Sequence, residues 1–420
     1  MIDVNRIFTD NAALKDGLTK KGYDATKVDA LEKLLLEKKE LARQIEALRA
    51  RRNAVQGDKS VGVEEKRALR DRIAGLEQSL APLEAEADAL LYDIPNTPDD
   101  DAPVGKTEAD NAVIAEAADY HRCAAANPKP HWELAKALDI LDVELAGKVS
   151  GSMFAFYKGK GARLLRALVT YALALNDGKY VEFIPPHMVS SKTFTYTGHL
   201  PKFAFDQYKT LLDDLWLIPT AEVPLTAGFA QNTYDIAELP KYAMGYSVCF
   251  RREAGSAGKD TRGLQRLHEF HKVELVKIIE PSACKAELAD LLADCLRPIQ
   301  HLKLQYRVVD LCTGDMGDKY GRCYDIEVFS PGVGKWLEVS SVGHFSDYQA
   351  RRAGIRTRDA QGKKGFAYTL NGSGLATPRV WTAIVETYQQ PDGSVAVPEV
   401  LRPLMGCDTI DLSTNLPRRA

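Results

Sequence analysis

The sequence predicts an α+β protein in which an antiparallel sheet flanked by helices follows an N-terminal antiparallel helical hairpin. Two observations predict this fold class. Apolar residues recur at heptad spacing over about residues 28–93, and beyond about residue 105 the pattern changes to short strand-like runs separated by turns. Few of these runs are within one helical crossover of each other, which favours an antiparallel sheet over a parallel wound one.

Heptad spacing defines two stripes in the hairpin. The first stripe consists of Leu34, Leu41, Leu48 and Val55, with Leu31 and Ile45 on the other seam position. The second stripe consists of Leu69, Ile73, Leu76, Leu80, Leu83, Ala87 and Leu90. Each stripe is narrow enough to bury one face, and a glycine-containing break at 56–62 predicts two helices packed back to back. Pro82 lies inside the second stripe and predicts a kink or a break.

The first predicted helix carries an excess of positive charge. Residues 27–52 contain eight basic and five acidic side chains, and Arg49, Arg51 and Arg52 cluster near the predicted tip. A solvated helix face explains such a cluster, and so does a surface that contacts the phosphate backbone of a nucleic acid. The charge pattern alone leaves both interpretations open.

Composition limits the classes of protein to consider. The 420 residues suggest about two to three domains, and 55 basic against 58 acidic residues leave a net charge of −3. This balance excludes a uniformly basic chromatin-type protein, and the 45% hydrophobic share argues against wholesale disorder. The best apolar stretch, 164–175, is interrupted by Arg166, so we expect neither a membrane span nor a signal peptide. Seven scattered cysteines without a CxxC pair indicate reduced thiols in a cytoplasm and no zinc site.

A linker is predicted to divide the chain into two domains. Residues 94–103 contain three prolines and three consecutive aspartates, which separates residues 1–104 from a second domain at 105–420. Strand-like runs in the second domain lie at 180–184, 215–218, 324–329 and 336–340. The chain has neither a GxxxxGKS/T nor a GxGxxG phosphate loop, so an enzyme that uses a nucleotide would need another way to hold it.

Three segments of the second domain carry chemical signals, at about 162–186, 249–274 and 369–388, and the first and third are described here. The first is a helix of about 162–176 that leads into a strand ending at Pro185-Pro186, which suits an edge strand, a dimer element or an ordinary helix–strand unit. The third, 369–388, reads as a strand, a glycine turn and an amphipathic helix with Arg379 near its start. A cation there is disfavoured by the helix dipole, so it indicates either a bound anion or a solvent-facing side chain.

The second segment, 249–274, reads as a strand, a glycine-rich polar loop and a strand. On the entering strand, Arg251 and Glu253 would share one face by their spacing. On the returning strand the residues expected on one face are Arg266, His268, Phe270, Lys272 and Glu274. Arginines, an aromatic ring and carboxylates facing one space suit an anionic nucleotide, and they equally suit a salt-bridged sheet face.

In chain order these three segments resemble the three signature motifs of class II aminoacyl-tRNA synthetases. The blocks that resemble the bacterial type of seryl-tRNA synthetase in particular are Thr220–Leu225, Arg251–Glu274, Leu311–Gly317, Gln349–Arg352, Asn371–Ala376 and Val397–Pro403. The hairpin is similar to the N-terminal arm of that family, so the resemblance covers essentially the whole chain. An ordered set of this kind is far more specific than any one motif.

The resemblance implies a role for each matching residue. It implies that ATP is bound by Arg251, Arg252, Glu253, Arg266, Phe270, Glu338, Val339, Ser340, Ser341 and Arg379. It implies that serine is bound by Thr220, Ala221, Glu222, Arg251, Glu274, Asn371 and Ser373. The residues implied to act in catalysis are Arg251, Arg266 and Arg379, those implied to hold Mg²⁺ with ATP are Glu338 and Ser341, and those implied to contact tRNA are Lys38, Arg49, Arg51 and Arg52.

The implied activity is that of a serine–tRNA ligase. Such an enzyme forms seryl-adenylate from serine and ATP and transfers the seryl group to the 3′-terminal adenosine of tRNA(Ser), and tRNA(Sec) stays open as a second substrate. The resemblance also implies a homodimer in the cytoplasm. The alternatives are an amino acid:carrier-protein ligase, an inactive regulatory paralogue and a bare structural coiled coil. The arm argues against the first, the intact arginines argue against the second, and the length of the second domain argues against the third.

Overall fold

The computed structural model describes residues 1–58, 60–255 and 262–412. Its contacts divide the chain into a first unit, Met1–Thr97, and a second unit that begins at Pro98. Within these described ranges, no helix is both long and apolar enough to cross a membrane. Lys59 in the predicted break and residues 256–261 of the predicted glycine-rich loop lie outside the described residues.

The first unit is helical and contains the predicted hairpin. Its helices are α1 (Asn5–Thr9), α2 (Asn11–Lys20), α3 (Thr26–Val55) and α4 (Val63–Asp93). Ion pairs join α3 to α4 in antiparallel order, from Lys27–Asp93 at one end to Arg51–Glu65 at the other. The hairpin prediction is therefore confirmed, with boundaries within a few residues of those expected.

Heptad positions face the interior of the hairpin as the spacing predicts. Leu31, Ile45, Leu69, Ile73 and Ala87 are buried, and the remaining seam positions of both stripes are partly buried. Of the kink or break predicted at Pro82, the break is wrong, because α4 continues through this residue to Asp93. Packing of the apolar stripe against α3 holds the helix on both sides of the missing amide hydrogen.

The second unit combines strands and helices. Its strands are β1 (Ala112–Glu116), β2 (Leu141–Asp142), β3 (Phe156–Tyr157), β4 (Val181–Phe183), β5 (Met188–Ser190), β6 (Leu215–Leu217), β7 (Thr233–Asp235), β8 (Lys241–Phe250), β9 (Glu269–Ile279), β10 (Tyr306–Asp310), β11 (Arg322–Ser330), β12 (Lys335–His344), β13 (Arg356–Arg358), β14 (Lys364–Phe366), β15 (Tyr368–Ala376), β16 (Val395–Ala396) and β17 (Thr409–Ile410). Its helices are α5 (His131–Ala137), α6 (Val143–Ser150), α7 (Gly159–Asn176), α8 (Ser191–Tyr196), α9 (Glu222–Ala227), α10 (Cys284–His301), α11 (Tyr348–Ala353), α12 (Thr377–Thr387) and α13 (Arg402–Met405).

A mostly antiparallel sheet organises the second unit. In the described part of the chain its eight strands follow the order β1-β10-β11-β12-β15-β9-β8-β4. Every neighbouring pair is antiparallel except β4 and β8, which run parallel at one edge. Helices α7, α10 and α12 pack on the sheet, and buried side chains such as Leu168, Leu291 and Trp381 form the core between them. The predicted α+β class is confirmed.

Two local predictions about the chemical segments are wrong. The entering strand ends at Phe250 and the returning strand begins at Glu269, so Arg251, Glu253, Arg266 and His268 lie outside the sheet. Arg251, Glu253 and Arg266 line an open cavity instead of a packed sheet face.

The predicted glycine turn before α12 is also absent. Residues 368–376 form the continuous strand β15, with a register shift between Ser373 and Leu375. Its glycines serve close packing, since a Cβ on Gly372 would lie 2.6 Å from Cys295 Sγ. Helix α12 then begins directly at Thr377.

Candidate active site

A cavity of about 500 Å³ opens on one face of the sheet in the second unit. The predicted site residues that line it are Thr220, Glu222, Arg251, Glu253, Arg266, Phe270, Glu274, Glu338, Val339, Ser340, Ser341, Asn371, Ser373 and Arg379. Two predicted residues are not part of the lining. Ala221 is fully buried in an apolar cluster, and the side chain of exposed Arg252 donates from Nη1 to the carbonyl oxygen of Phe205 over 2.9 Å.

Strands β9 and β15 position one end of the cavity. Phe270, Lys272 and Glu274 alternate along β9 and therefore point to the same face. Glu274 is directly opposite Ser373 of β15 in the strand register. The alternation that the sequence predicts is thus confirmed for the residues that lie inside the strand.

Buried carboxylates converge at this end. Asn371 Nδ2 donates to Glu274 Oε1 over 2.6 Å and to Glu222 Oε2 over 3.2 Å. Gln349 Nε2 donates to Glu222 Oε1 over 2.7 Å. Glu222 and Glu274 are almost fully buried, so an amide bridges two carboxylates that water scarcely reaches.

Two lysines compensate the charge of these carboxylates. Lys319 Nζ lies 2.8 and 2.9 Å from the two oxygens of Glu222, and Lys272 Nζ lies 2.5 Å from Glu274 Oε2. Burial raises the pKa of Glu274, an effect that the charge and hydrogen bond of Lys272 oppose. The result is a polar end of the cavity with oxygen acceptors held in place by amides and amines.

Arginines dominate the other end. The guanidinium of Arg251 lies 5.2 Å from the ring centroid of Phe270, and Arg266 Nη1 lies 2.7 Å from Glu253 Oε2. Arg379, near the start of α12, donates from Nη1 to the carbonyl oxygen of Glu338 over 2.6 Å. Guanidinium groups in such a cavity suit phosphate oxygens, because each offers a planar fork of donors.

The residues around Glu253 are held in an uncommon backbone geometry. Glu253 has φ of +52°, in the left-handed region that non-glycine residues seldom adopt. The next amide, that of Ala254, donates to Asp206 Oδ1 over 2.9 Å. This turn directs the Glu253 carboxylate towards Arg266 and into the cavity wall.

Oxygen atoms that could ligate a cation cluster where β11 and β12 pair. Ser341 lies opposite Asp325 in the register and donates to Glu338 Oε1 over 3.2 Å. Desolvation favours the neutral form of Glu338, but the charges of Arg379 and Arg251 outweigh it and hold the pKa of Glu338 below its usual range. Burial and the charge of Glu338 raise the pKa of Asp325 well above its usual range. Carboxylate and hydroxyl oxygens are the ligands that a hard cation such as Mg²⁺ prefers, so Glu338, Ser341 and Asp325 fit that ion.

Sequence reasoning missed several residues of the cavity. His199, Lys319 and Tyr320 line it, although no role was predicted for them. Desolvation, together with nearby cations such as Lys319, lowers the pKa of His199 well below its usual range. Gln349 lies within a block that resembles the family, but only the tertiary contact to Glu222 reveals its part in the site. Lys272 was detectable from its spacing between Phe270 and Glu274 on one strand face.

Three of the four basic residues predicted on the arm are joined to acids of α4. Lys38 lies 3.3 Å from Glu84, Arg49 lies 2.7 Å from Glu77, and Arg51 lies 2.7 Å from Glu65. Arg52 donates instead to Asn53 Oδ1 over 3.2 Å. The Arg49 and Arg51 side chains are 52% and 63% exposed, so both remain accessible from solvent.

Family models match both units of the chain. Residues 1–98 match the seryl-tRNA synthetase N-terminal domain, and residues 203–388 match the tRNA synthetase class II core domain of the G, H, P, S and T type. A serine–tRNA ligase of Geobacillus kaustophilus is 45% identical, covering 97% of this chain and 99% of the relative. A serine–tRNA ligase of Dehalococcoides mccartyi is 42% identical, covering 98% of this chain and all of the relative.

Solved structures agree with these matches. The crystal structure of seryl-tRNA synthetase from Pyrococcus horikoshii complexed with ATP is similar with a TM-score of 0.89 and 33% identity, over 98% of this chain and 99% of that chain. The cytoplasmic serine–tRNA ligase from Naegleria fowleri in complex with AMP is similar with a TM-score of 0.87 and 25% identity, over 98% and 99% of the two chains. Both similarities span the arm as well as the sheet.

Proposed function

The chain belongs to the seryl-tRNA synthetase family and is a serine–tRNA ligase, and we propose how the residues of its cavity divide the work of that reaction. One observation carries the proposal. A single cavity is lined by buried acceptors around Glu222 and Glu274 and by the arginines 251, 266 and 379. Such a cavity suits a small amino acid beside a nucleoside triphosphate. The matches along the full chain give no support to a carrier-protein ligase or a bare coiled coil.

ATP takes the arginine-rich end in this proposal. Phe270 stacks on adenine, Glu253 accepts a hydrogen bond from the adenine amine, and Arg379 covers the other face of the base. Arg251 binds the α-phosphate, and Arg266 with Arg379 binds the outer phosphates. The seryl-tRNA synthetase from Pyrococcus horikoshii was crystallised in complex with ATP, which supports an ATP site here. Val339 and Ser340 of β12 line the same cavity and are also assigned to ATP in this proposal.

Serine takes the polar end. Glu274 accepts from the serine hydroxyl, and Glu222 and Thr220 accept from its ammonium group, while Asn371 and Ser373 complete the walls. Alanine in this position would lack the hydroxyl donor, so the Glu274 carboxylate would keep Asn371 and Lys272 but lose the hydrogen bond that serine provides. Polar acceptors of this kind reject an analogue that lacks the hydroxyl more strongly than an apolar pocket rejects a missing methylene.

The reaction requires no nucleophile from the protein. The serine carboxylate attacks the α-phosphorus, the bond to the bridging oxygen breaks, and pyrophosphate leaves. The 3′-terminal hydroxyl of tRNA then attacks the seryl carbonyl, and AMP leaves. Arg251 and Arg379 contribute by holding the phosphates in line and stabilising the charge that develops on them.

Glu338 and Ser341 would hold Mg²⁺ beside the phosphates. Their oxygens fit this ion, and Asp325 lies next to them in the strand register. When bound, such an ion neutralises charge on the phosphate oxygens. The low pKa of Glu338 keeps its carboxylate ionised and ready to coordinate a cation.

Three further assignments complete the proposal. The arm binds tRNA(Ser) through Lys38, Arg49, Arg51 and Arg52, whose positive charges suit the phosphate backbone. The enzyme is a cytoplasmic homodimer that pairs through the edge strand β4. Apolar residues of β4 and the position after it support this interface, because Val181, Phe183 and Ile184 are 61%, 44% and 85% exposed.

Amino-acid-dependent exchange of pyrophosphate into ATP tests the activation half of this proposal. We expect exchange with serine and at least about a hundredfold less with alanine, since a site built to hydrogen-bond a hydroxyl discriminates strongly. Exchange without serine dependence would contradict the assignment of the polar end.

A shortened arm tests the transfer half. Joining residue 40 to residue 82 through a short glycine-rich turn removes Arg49, Arg51 and Arg52 but keeps the buried base around Val28, Leu31, Ala87 and Leu91. We expect exchange to be unchanged and charging of tRNA(Ser) to be lost. Normal charging by this variant would refute the role of the arm.

A further inference from the structure

A buried hydrogen-bonded cluster lies beside the cavity and outside the residues discussed above. His131 is the first residue of α5, Glu386 lies near the end of α12, and Ser330 ends β11. All three side chains are fully buried. A carboxylate and an imidazole at such depth need complete hydrogen bonding, and the contacts provide it.

Glu386 accepts from four donors. Its Oε1 accepts from the backbone amide and from Nδ1 of His131, each over 2.8 Å. Its Oε2 accepts from the amide of Gly332 over 2.9 Å and from the hydroxyl of Ser330. Because a carboxylate only accepts, Nδ1 of His131 carries the proton, and Nε2 is left with its lone pair.

That lone pair is used by the segment that follows residue 261. The amide of Leu264 donates to His131 Nε2 over 2.9 Å. Gly263 has φ of +63°, and a Cβ added to it would lie 2.0 Å from Nε2, so the backbone rests directly on the imidazole. The neighbouring Trp132 contacts the same segment, with the guanidinium of Arg262 4.9 Å from its ring centroid.

The segment held in this way leads directly into the cavity. Leu264, Gln265 and Arg266 all line it, and the carbonyl oxygen of Gln265 accepts from Arg379 Nε over 3.4 Å. Arg379 and Glu386 belong to the same helix, α12. One helix therefore places Arg379 directly and places Arg266 through Glu386, His131 and the backbone of Leu264.

We propose that His131 is a positioning residue for ATP, whose Nε2 fixes the backbone of Leu264 and thereby the entry of Arg266 into the cavity. This inference rests on the proposed assignment of Arg266 to the phosphates of ATP. His131 does not touch the reacting atoms, and its effect is confined to the nucleotide end. The serine end is built from Glu222, Glu274 and Asn371, which the cluster does not contact.

Two substitutions separate the two hydrogen bonds of the imidazole. His131→Asn keeps a donor near the position of Nδ1 for Glu386 but has no acceptor for Leu264, and His131→Gln retains an acceptor near the position of Nε2. We expect His131→Asn to raise the KM for ATP about tenfold in serine-dependent exchange, because the Leu264 amide is left unpaired. The kcat and the KM for serine should change by less than about threefold, and His131→Gln should restore most of the loss.

Two further variants decide between positioning and general stability. Gly263→Ala leaves His131 intact but pushes the segment off the ring, so it should raise the KM for ATP as His131→Asn does, even if the latter fails to fold. His344→Asn removes another buried imidazole, which contacts Asp99 over 2.9 Å, and should lower thermal stability without changing the KM for ATP. An unchanged KM for ATP in folded His131→Asn or in Gly263→Ala would overturn the proposal, as would an equal effect in His344→Asn.

Different measurements test the proposed function and the positioning role of His131. Arg266→Ala in the full-length protein should raise the KM for ATP at least as much as His131→Asn. If the wild type showed no serine-dependent exchange, the proposed function would fail, and calorimetric binding of ATP to the same His131 and Gly263 variants would still test the positioning role.

Discussion

The arm and the cavity use charged side chains in opposite ways. On the arm, the side chains of Arg49 and Glu77 are 52% and 43% exposed, and their ion pair joins two helices at the protein surface. In the cavity, Lys272 and Glu274 are only 6% and 1% exposed. An exposed pair contributes about 0–1 kcal/mol, whereas breaking a buried pair costs about 3–5 kcal/mol. The arm can therefore exchange its internal partners for phosphate groups, and the cavity cannot rearrange without loss.

The substitution with the largest expected effect on activity is in the cavity. Glu222→Gln removes the negative charge that Gln349, Asn371 and Lys319 contact, including the carboxylate partner of the Lys319 ammonium group. We expect kcat/KM for serine in the exchange assay to fall at least about a hundredfold. The KM for ATP serves as the internal control, since the proposal assigns ATP to the arginine-rich end of the cavity and Glu222 to the polar end. A loss below about threefold would contradict the proposed contrast between buried and exposed charge.

An intermediate effect is expected on the arm. The double substitution Arg49→Ala, Arg51→Ala should lower kcat/KM for tRNA charging about tenfold near physiological salt and flatten its salt dependence by about one to two units of slope. The matched control is Glu77→Gln with Glu65→Gln, which breaks the same ion pairs and keeps the arginines. If the control weakened charging equally, the ion pairs and not the arginines would be responsible. Exchange should be normal in both variants.

The smallest expected effect is the pH dependence of stability, whose sign differs between the two regions. Burial raises the pKa of Glu274 above that of the unfolded chain, so its stabilising contribution is present below pH 4.5 and is lost as pH rises through the folded pKa. Hydrogen bonds from Arg43 and Gln44 lower the pKa of Glu40 on the arm, so its contribution is present above pH 4.5 and is lost on acidification.

Urea unfolding across pH checks these signs. Loss of the pair with Lys272 destabilises Glu274→Gln, but the deficit of this variant relative to the wild type should shrink as pH rises from about 4.5 through the folded pKa of Glu274. Glu40→Gln should be less stable at neutral pH, and its difference from the wild type should vanish in acid. Parallel pH profiles for the two variants would show that their environments do not differ as described.

The two regions also differ in how much of them local sequence could predict. The arm follows from its heptads because its contacts join residues on two adjacent helices, and burial of Ile45 and Ile73 agrees with the spacing. Of the kink or break expected at Pro82, the break is wrong, because packing along the whole stripe compensates for the hydrogen bond that proline cannot make.

In the cavity, the sequence identified the residue types but misjudged the backbone that carries them. Arg251 and Arg266 were expected on strands, and both lie beyond the strand ends. The glycines of β15 were expected to turn, and instead they let Cys295 and Leu275 approach the strand closely. Alternation and glycine content are local signals, and neither shows where a distant element requires space.

The sequence by itself determined the fold class, the hairpin, the family and most of the residues that line the cavity, because periodicity and motif order are properties of the linear chain. Tertiary structure alone decided the rest. Only folding brings Lys319 and Gln349 to Glu222, which lies about a hundred residues or more away along the chain. Only folding places His131 between Glu386 and Leu264, where burial excludes water and strengthens each hydrogen bond.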